Sequence, residues 1–276
     1  MCIVGMAMKM NKRNIVILLM IPFALMGCNK KDTQTRESEA PIEVDITTPI
    51  DEVKEEDYKK IPTYIYSKLS EYSTYKLVTK GQTVSTSIIK VTQSIDVTSI
   101  KGEYSYMKNE SHSNLVNTVH EAYYHNETAI YRDSESGDFT KSSLDDYLNT
   151  YGTYPFDSSI EGYSIKEENI KSVTKVSEQD EKYTFKVVFD EEKSTNNVKI
   201  QMKKFGGLDK YPSFSLVEMN LTIDADFTLR NIDLHTKYSA KKVLTTQCEQ
   251  NYTVTFTNFN ETIEIPNLES VKDQFN

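Results

Sequence analysis

The histidines His120 and His125 are the first candidates for chemistry, because they flank a glutamate in a short polar segment. Two histidines that bind one zinc ion from a helix lie at i and i+4, whereas these lie at i and i+5. On a strand, the same spacing directs the two side chains to opposite faces. The sequence therefore predicts no metal site.

The candidate nucleophiles are Cys248, Ser87 and Ser172. The two serines begin Ser-x-x-Lys segments, but the Ser-Asp-Asn and Lys-Thr-Gly motifs that accompany such a serine in penicillin-recognising enzymes do not occur. We interpret Cys248 as structural, and His112 and His235 as isolated and solvated. We therefore predict a protein that is not an enzyme and has no cofactor; a hydrolase would require Cys248 or a histidine beside a carboxylate in a cleft.

The charge balance argues against nucleic acid as a partner. The chain carries 32 lysine and arginine residues against 41 aspartate and glutamate residues, which gives a net charge of −9. Affinity for DNA or RNA comes mainly from a basic surface that neutralises phosphates. This composition favours other classes of partner.

The N-terminus has the pattern of an export signal. The basic residues Lys9, Lys12 and Arg13 precede an uncharged, largely apolar run at 15–27, which is the order of a signal peptide. The run is shorter than the ~20 residues that a membrane-spanning helix needs. We therefore predict a signal peptide at 1–27 and no permanent transmembrane helix.

The apolar run ends in Leu25-Met26-Gly27-Cys28, which resembles the lipobox of bacterial lipoproteins. The resemblance implies that the thiol of Cys28 receives a diacylglyceryl group, that residues 1–27 are removed, and that the new amino terminus is often acylated as well, for example with palmitate. Several acyl chains anchor a protein firmly, since each buried methylene contributes ~0.8 kcal/mol. We expect a lipid-anchored protein on the extracytoplasmic face of the cell membrane.

The segment at 28–57 is predicted to be a flexible acidic tether, because residues 29–57 hold 10 acidic and 4 basic residues and no aromatic residue. Such a composition buries too little apolar surface to offset the entropy of ordering. The remaining residues, 58–276, form one domain of a size that a single core can fill.

The domain is predicted to begin with a helix near Pro62, with Ile65, Leu69 and Tyr72 on its apolar face. Two further helices are predicted, one at 144–151 after a serine cap and one that carries Val198, Met202 and Phe205 and ends at Gly206-Gly207. Most other segments alternate apolar and polar residues as strands do. The predicted strands lie at 75–79, 84–97, 100–108, 113–124 and 128–132, around 183–189, 217–223, 227–238 and 252–256, and at 263–265.

These elements predict an α+β fold in which a large curved antiparallel sheet, a half-open barrel, is covered by a few helices. A curved sheet of this kind can enclose an apolar cavity. Ten inward residues are predicted to line it: Tyr104, Tyr106, Phe185, Val187, Val217, Met219, Leu221, Leu234, Val254 and Phe256.

The C-terminal strands carry a second resemblance. The segments Leu221–Asp224, Leu229–Asp233 and Tyr252–Phe256, followed by Ile265-Pro266, resemble the closing strands of the LolA/LppX-type lipoprotein carriers, and the likeness covers about residues 58–270. It implies a protein that holds a lipid or another amphiphile between sheet and helices. The alternative is an envelope module that recruits a protein partner and binds no small ligand; the sequence does not identify that partner.

Replacing Cys28 with alanine should release the protein from membranes and abolish its labelling by fatty acids, because the acyl chains attach to that thiol. Fractionation of cells grown with a labelled fatty acid measures both effects. Membrane retention of an unlabelled variant would contradict the lipobox interpretation.

Overall fold

The computed structural model describes residues 48–151 and 162–275. The predicted signal peptide, Cys28 and most of the predicted tether lie outside the described residues. Within the described ranges, none of the helices combines the length and the apolar composition needed to span a bilayer.

The described residues form one curved, open antiparallel sheet of eleven strands, with helices packed against both of its faces. The strands are β1 Tyr75–Thr86, β2 Lys90–Lys101, β3 Ser105–Ser113, β4 Asn117–His125, β5 Thr128–Arg132, β6 Thr140–Ser143, β7 Ile170–Gln179, β8 Lys182–Phe189, β9 Ser213–Asp224, β10 Leu229–Lys241 and β11 Thr245–Thr257. Their spatial order is β6-β5-β4-β3-β2-β1-β11-β10-β9-β8-β7. The predicted fold class, α+β with a large curved antiparallel sheet, is confirmed.

The helices are α1 Lys60–Glu71, α2 Leu144–Tyr151, α3 Asn196–Gly206 and α4 Leu268–Val271. Each predicted helix occurs, and α2 has the predicted bounds. Ser143 caps α2 by accepting a hydrogen bond from the backbone N–H of Asp146 at 3.1 Å. Gly207 ends α3 in the left-handed conformation at φ 58°, which glycine adopts without the steric cost of a Cβ atom.

Two faces of the sheet bury different clusters. The inner, concave face carries the main core, to which α1 and α3 contribute Ile61, Ile65, Val198 and Met202. A smaller cluster under α2 continues the inner face across β4 and β5. The outer face of β2 to β5 is covered by the C-terminal residues around Val271.

Three predicted strands run through turns. The segment 84–97 contains the turn at 87–89, the segment 113–124 contains the turn at 114–116, and the segment 100–108 contains the turn at 102–104. Two of the three residues in each of the first two turns are isoleucine, leucine or valine, beside a single turn residue, Ser87 or Asn114, so most of their composition matches a strand. The predicted strand at 263–265 is also wrong: this segment is unpaired and packs on the outer face through Ile263 and Ile265.

The strand predicted at 227–238 contains a β-bulge, since the pairing of β10 with β9 shifts between Leu229 and Asn231. The described chain also includes the end of the segment predicted as a tether. Residues Ile50–Glu52 and Glu55–Asp57 form short 3-10 helices, and Ile50 is 2% exposed in the main core. Ile50 thus packs this end of the acidic segment against the domain.

β1 and β11, the first and last strands along the described chain, pair along nearly their whole length, from Lys76 opposite Thr257 to Thr86 opposite Gln247. Gly81 lies at the centre of this ladder, opposite Tyr252. A Cβ atom at Gly81 would lie 2.1 Å from the carbonyl oxygen of Asn251 and 2.5 Å from the ring of Tyr252. The Tyr252 ring therefore occupies the space that any other residue at position 81 would need.

Replacing Gly81 with alanine should lower the free energy of unfolding by about 1–3 kcal/mol, because overpacking displaces neighbouring backbone. Gly102→Ala is the matched control, since a Cβ atom there would lie 3.4 Å from its nearest neighbour, an ordinary contact. Urea unfolding measures both variants. Equal stability of the two would contradict the role assigned to the Gly81–Tyr252 contact.

Candidate functional site

Eight of the ten residues predicted to line a cavity lie together in the main core, on strands β8 to β11. Each is at most 3% exposed. They are Phe185, Val187, Val217, Met219, Leu221, Leu234, Val254 and Phe256. Their common face is the inner face of the sheet, and the side chains pack against one another and against the other members of that core.

The other two predicted residues, Tyr104 and Tyr106, do not lie on that face. Tyr106 is buried on the outer face, where its hydroxyl donates a hydrogen bond to Glu121 at 3.1 Å. Tyr104 precedes β3 and stacks on His125, with ring centroids 4.1 Å apart. The inward phase of β3 belongs to Met107 and Asn109, one residue out of step with Tyr106.

A patch of polar side chains interrupts the inner face on β1, β2 and β3. We call Thr79, Ser99 and Asn109 the inner polar patch. These residues are 3%, 1% and 3% exposed, and within the described residues Thr79 Oγ1, Ser99 Oγ and Asn109 Oδ1 have no hydrogen-bond partner. Thr79 and Asn109 lie on either side of Val97, and Ser99 is the next inward residue on β2.

Unpartnered buried polar atoms are rare in folded proteins, since each costs about 1–3 kcal/mol relative to a solvated or bonded group. Three such atoms on adjacent strands lower the stability of the fold at one place on the sheet. Fully buried Val97 and Met107 separate the three polar atoms. The patch is therefore polar at three points within an apolar wall.

His120 borders the patch on β4, directly opposite Asn109, but it already has two partners. Its Nδ1 atom lies 2.8 Å from Asp133 Oδ1, and its Nε2 atom lies 2.8 Å from the hydroxyl of Tyr147. Tyr151 donates a hydrogen bond to the other oxygen of Asp133 at 2.8 Å. His125 lies on the opposite face of the strand, as its spacing from His120 predicted.

The electrostatics of this histidine site follow from its hydrogen bonds. Burial alone would raise the pKa of the Asp133 carboxyl, but hydrogen bonds from His120 and Tyr151 outweigh burial and lower it. Burial raises the pKa of Tyr147 well above its ordinary value, so its hydroxyl keeps the proton. No serine or cysteine hydrogen-bonds to His120 within the described residues, and the arrangement orients Tyr147 and Tyr151.

A different part of the inner face shows what a satisfied polar network looks like. Thr83 and Tyr252 share a hydrogen bond between their hydroxyls. Thr236 donates to the side-chain oxygen of Gln250 at 3.0 Å, and the amide of Gln250 donates to Tyr238 at 3.3 Å. Thr83 is as buried as Thr79 and lies on the same strand. Thr83 has a hydrogen-bond partner, whereas Thr79 has none among the described residues.

Cys248 lies within β11 and is 4% exposed, so it belongs to the core and not to a turn. Its sulfur lies 3.5 Å from the hydroxyl of Ser85. Burial raises the pKa of the Cys248 thiol, which disfavours the nucleophilic thiolate. The geometry agrees with the interpretation of Cys248 as structural.

His235 is not isolated, which corrects the prediction from sequence. It lies on the outer face beside a groove of about 350 Å³, with Nε2 2.8 Å from Glu249 and Nδ1 3.8 Å from Glu218. Hydrogen bonds from His235 and Lys237 lower the pKa of Glu249. A histidine thus lies beside carboxylates in a cleft, and its cross-strand partners hold it in place.

No three histidine, cysteine, aspartate or glutamate side chains come together as a metal site would require in the described part of the chain. Thr79, Ser99 and Asn109 are not among the residues predicted from the sequence. The sequence does carry a signal for them, because each is a polar residue at an inward-facing position of a strand. The alternation of buried residues along β1 and β2 identifies those positions.

No protein-family model matches the chain, and no curated protein matches it. Solved structures with some similarity include a DUF1329 family protein from Desulfovibrio piger, at 9% identity and a TM-score of 0.26, covering 78% of this chain and 95% of that one. A LolA superfamily protein from Nitrosomonas europaea has the same identity and TM-score and covers 78% and 97%. A hypothetical protein from Chlamydia trachomatis, at 7% identity and a TM-score of 0.24, covers 68% and 90%.

Replacing Thr79 with valine should raise the free energy of unfolding of the ligand-free protein by about 1 kcal/mol, because it removes a buried hydroxyl that has no partner. Thr83→Val is the matched control and should lower it by about 1 kcal/mol, because it breaks the bond to Tyr252. Urea unfolding measures both. Destabilisation by both substitutions would show that the Thr79 hydroxyl already has a partner.

Proposed function

We propose that the chain is an extracytoplasmic lipoprotein whose folded body binds an amphiphilic ligand between the inner face of the sheet and its helices. One observation carries the ligand proposal: the three atoms of the inner polar patch are buried and find no partner in the part of the chain that the structure describes. A bound polar group would supply the missing hydrogen bonds. The apolar part of the ligand would lie against the same wall.

The composition of the wall sets the class of ligand. Thr79 and Ser99 each offer a hydroxyl, and Asn109 offers a carbonyl oxygen, so the patch can both donate and accept hydrogen bonds. None of the three is charged. The patch therefore suits a neutral polar group, such as a hydroxyl, ester or amide, attached to an aliphatic body that contacts Val97 and Met107.

Anchoring by Cys28 is the second part of the proposal and is supported by the sequence alone. The segment between Cys28 and Ile50, the first buried residue described, would span at most about 70–80 Å when fully extended. The folded body would then work at the membrane surface, where amphiphiles are concentrated.

We propose no catalytic role. His120 and His235 are both held by carboxylates, and Cys248 is buried as a thiol. The contacts of His120, His235 and Cys248 give each side chain a structural role. A binding protein is the function that accounts for the inner polar patch.

The test is native mass spectrometry of the chain from residue 29 to 276, which contains every described helix and strand, followed by solvent extraction of the bound material. We expect an amphiphile with a neutral polar group. The double variant Thr79→Val, Ser99→Ala should reduce rebinding of the extract by about tenfold or more, because two hydrogen bonds are lost.

Thr92→Val is the control, because Thr92 is exposed on the outward side of the same strand, β2, and should leave rebinding unchanged. A ligand-free protein, or equal rebinding by the double variant and the control, would refute the binding proposal. Loss of membrane attachment in the Cys28 variant tests the anchor separately.

A further inference from the structure

The exposed apolar side chains of the described residues are concentrated at one end of the sheet. Of eight such large side chains, seven lie in the connections at this end; Val176, on β7, is the exception. The seven are Ile88, Ile89, Leu115, Ile200, Tyr211, Val243 and Leu244. Single exposed apolar residues are normal, but a group at one site indicates an interaction surface.

Five of the seven lie at the tips of three hairpins, which we call the apolar tips. The β1–β2 turn carries Ile88 and Ile89, which are 81% and 58% exposed. The β10–β11 turn carries Val243 and Leu244, at 83% and 50%, and the β3–β4 turn carries Leu115, at 51%. All three turns point the same way, because consecutive strands are antiparallel.

The apolar tips form a row. The six strands that they join are neighbours, in the order β4-β3-β2-β1-β11-β10. Since neighbouring strands lie about 4.8 Å apart, adjacent tips are about 10 Å apart. Tyr211 adds to one end of the row, because the backbone N–H of Asp209 donates to the carbonyl of Lys241 at 2.9 Å.

Together, the three turn segments themselves carry charge of the sign opposite to that of the chain. No aspartate or glutamate occurs in 86–92, 112–118 or 240–247, although the net charge of the chain is −9. Lys90, Lys241 and Lys242 lie in the same segments, and the first two are exposed. Apolar side chains at protruding points, with lysines just behind them, are complementary to an anionic lipid surface.

We propose that the three apolar tips dock the folded body onto an anionic lipid bilayer, with the apolar side chains inserted among the acyl chains and the lysines among the headgroups. The tips suit a bilayer better than a folded partner, because they are separate convex points and a fluid lipid surface can close around each of them. The inference is independent of lipidation at Cys28. It is also compatible with an anchor at Cys28. Strands of 12 or 13 residues span about 40 Å, and the extended segment from Cys28 to Ile50 is longer than that, so it can reach the membrane when the tips are docked.

Two tryptophan variants of the chain from residue 29 to 276 test the proposal. The sequence contains no tryptophan, so Val243→Trp and Val176→Trp each place a single fluorophore at an exposed apolar position. With vesicles rich in phosphatidylglycerol, we expect a blue shift and quenching by brominated acyl chains for Val243→Trp. Neither change is expected for Val176→Trp. Emission from Val243→Trp that does not respond to vesicles would overturn the proposal.

Vesicle sedimentation provides the second measurement and needs no fluorophore. The double variant Val243→Ser, Leu244→Ser should bind phosphatidylglycerol vesicles at least about tenfold more weakly than Val176→Ser, because inserted apolar area is lost. Added salt should weaken the binding of both. Equal binding of the two variants would overturn the proposal. So would binding of the unaltered chain to phosphatidylcholine vesicles as strong as its binding to phosphatidylglycerol vesicles. A surface made for a protein partner would give no binding to these protein-free vesicles.

Discussion

The pairing of β1 with β11 is the constraint on which the rest of the structure depends. It joins the β1–β6 half of the sheet to the β7–β11 half, and it brings together strands from opposite ends of the described chain. Such long-range pairing forms late and at a high entropic cost. The close contact of Gly81 with Tyr252 lies in this ladder, so its geometry fixes how the two halves meet and where their inner faces become continuous.

The inner face then serves two purposes. On β8 to β11 it is a dry core, where side chains such as Phe185 and Met219 fill the space beneath the helices. On β1 to β3 it carries the inner polar patch, whose buried, unpartnered atoms lower the stability of the fold. Stability given up at a site and recovered when a ligand binds is a common property of binding proteins. Thr83 shows that this sheet can satisfy a buried hydroxyl where no ligand is proposed.

Sequence periodicity predicted much of this fold, because the alternation of buried residues in strands and the cap at Ser143 are local signals. It misplaced the hairpin turns at 87–89 and 114–116, where two of the three residues are β-branched or aliphatic. It also assigned Tyr106 to the wrong face, since each phase of β3 holds one large apolar residue, Tyr106 in one and Met107 in the other. His120 finds its partners after β5 and on α2, and Thr79 finds none among the described residues. Spacing along the chain reveals neither outcome.

The two free edges of the sheet, β6 and β7, have a mechanical consequence. Among the described residues each has a pairing partner on one side only, so no ladder of hydrogen bonds joins β6 to β7 there. A closed barrel has a fixed circumference, whereas an open sheet can change its bend without breaking an existing ladder. The ligand site that we propose would therefore accommodate acyl chains of different length.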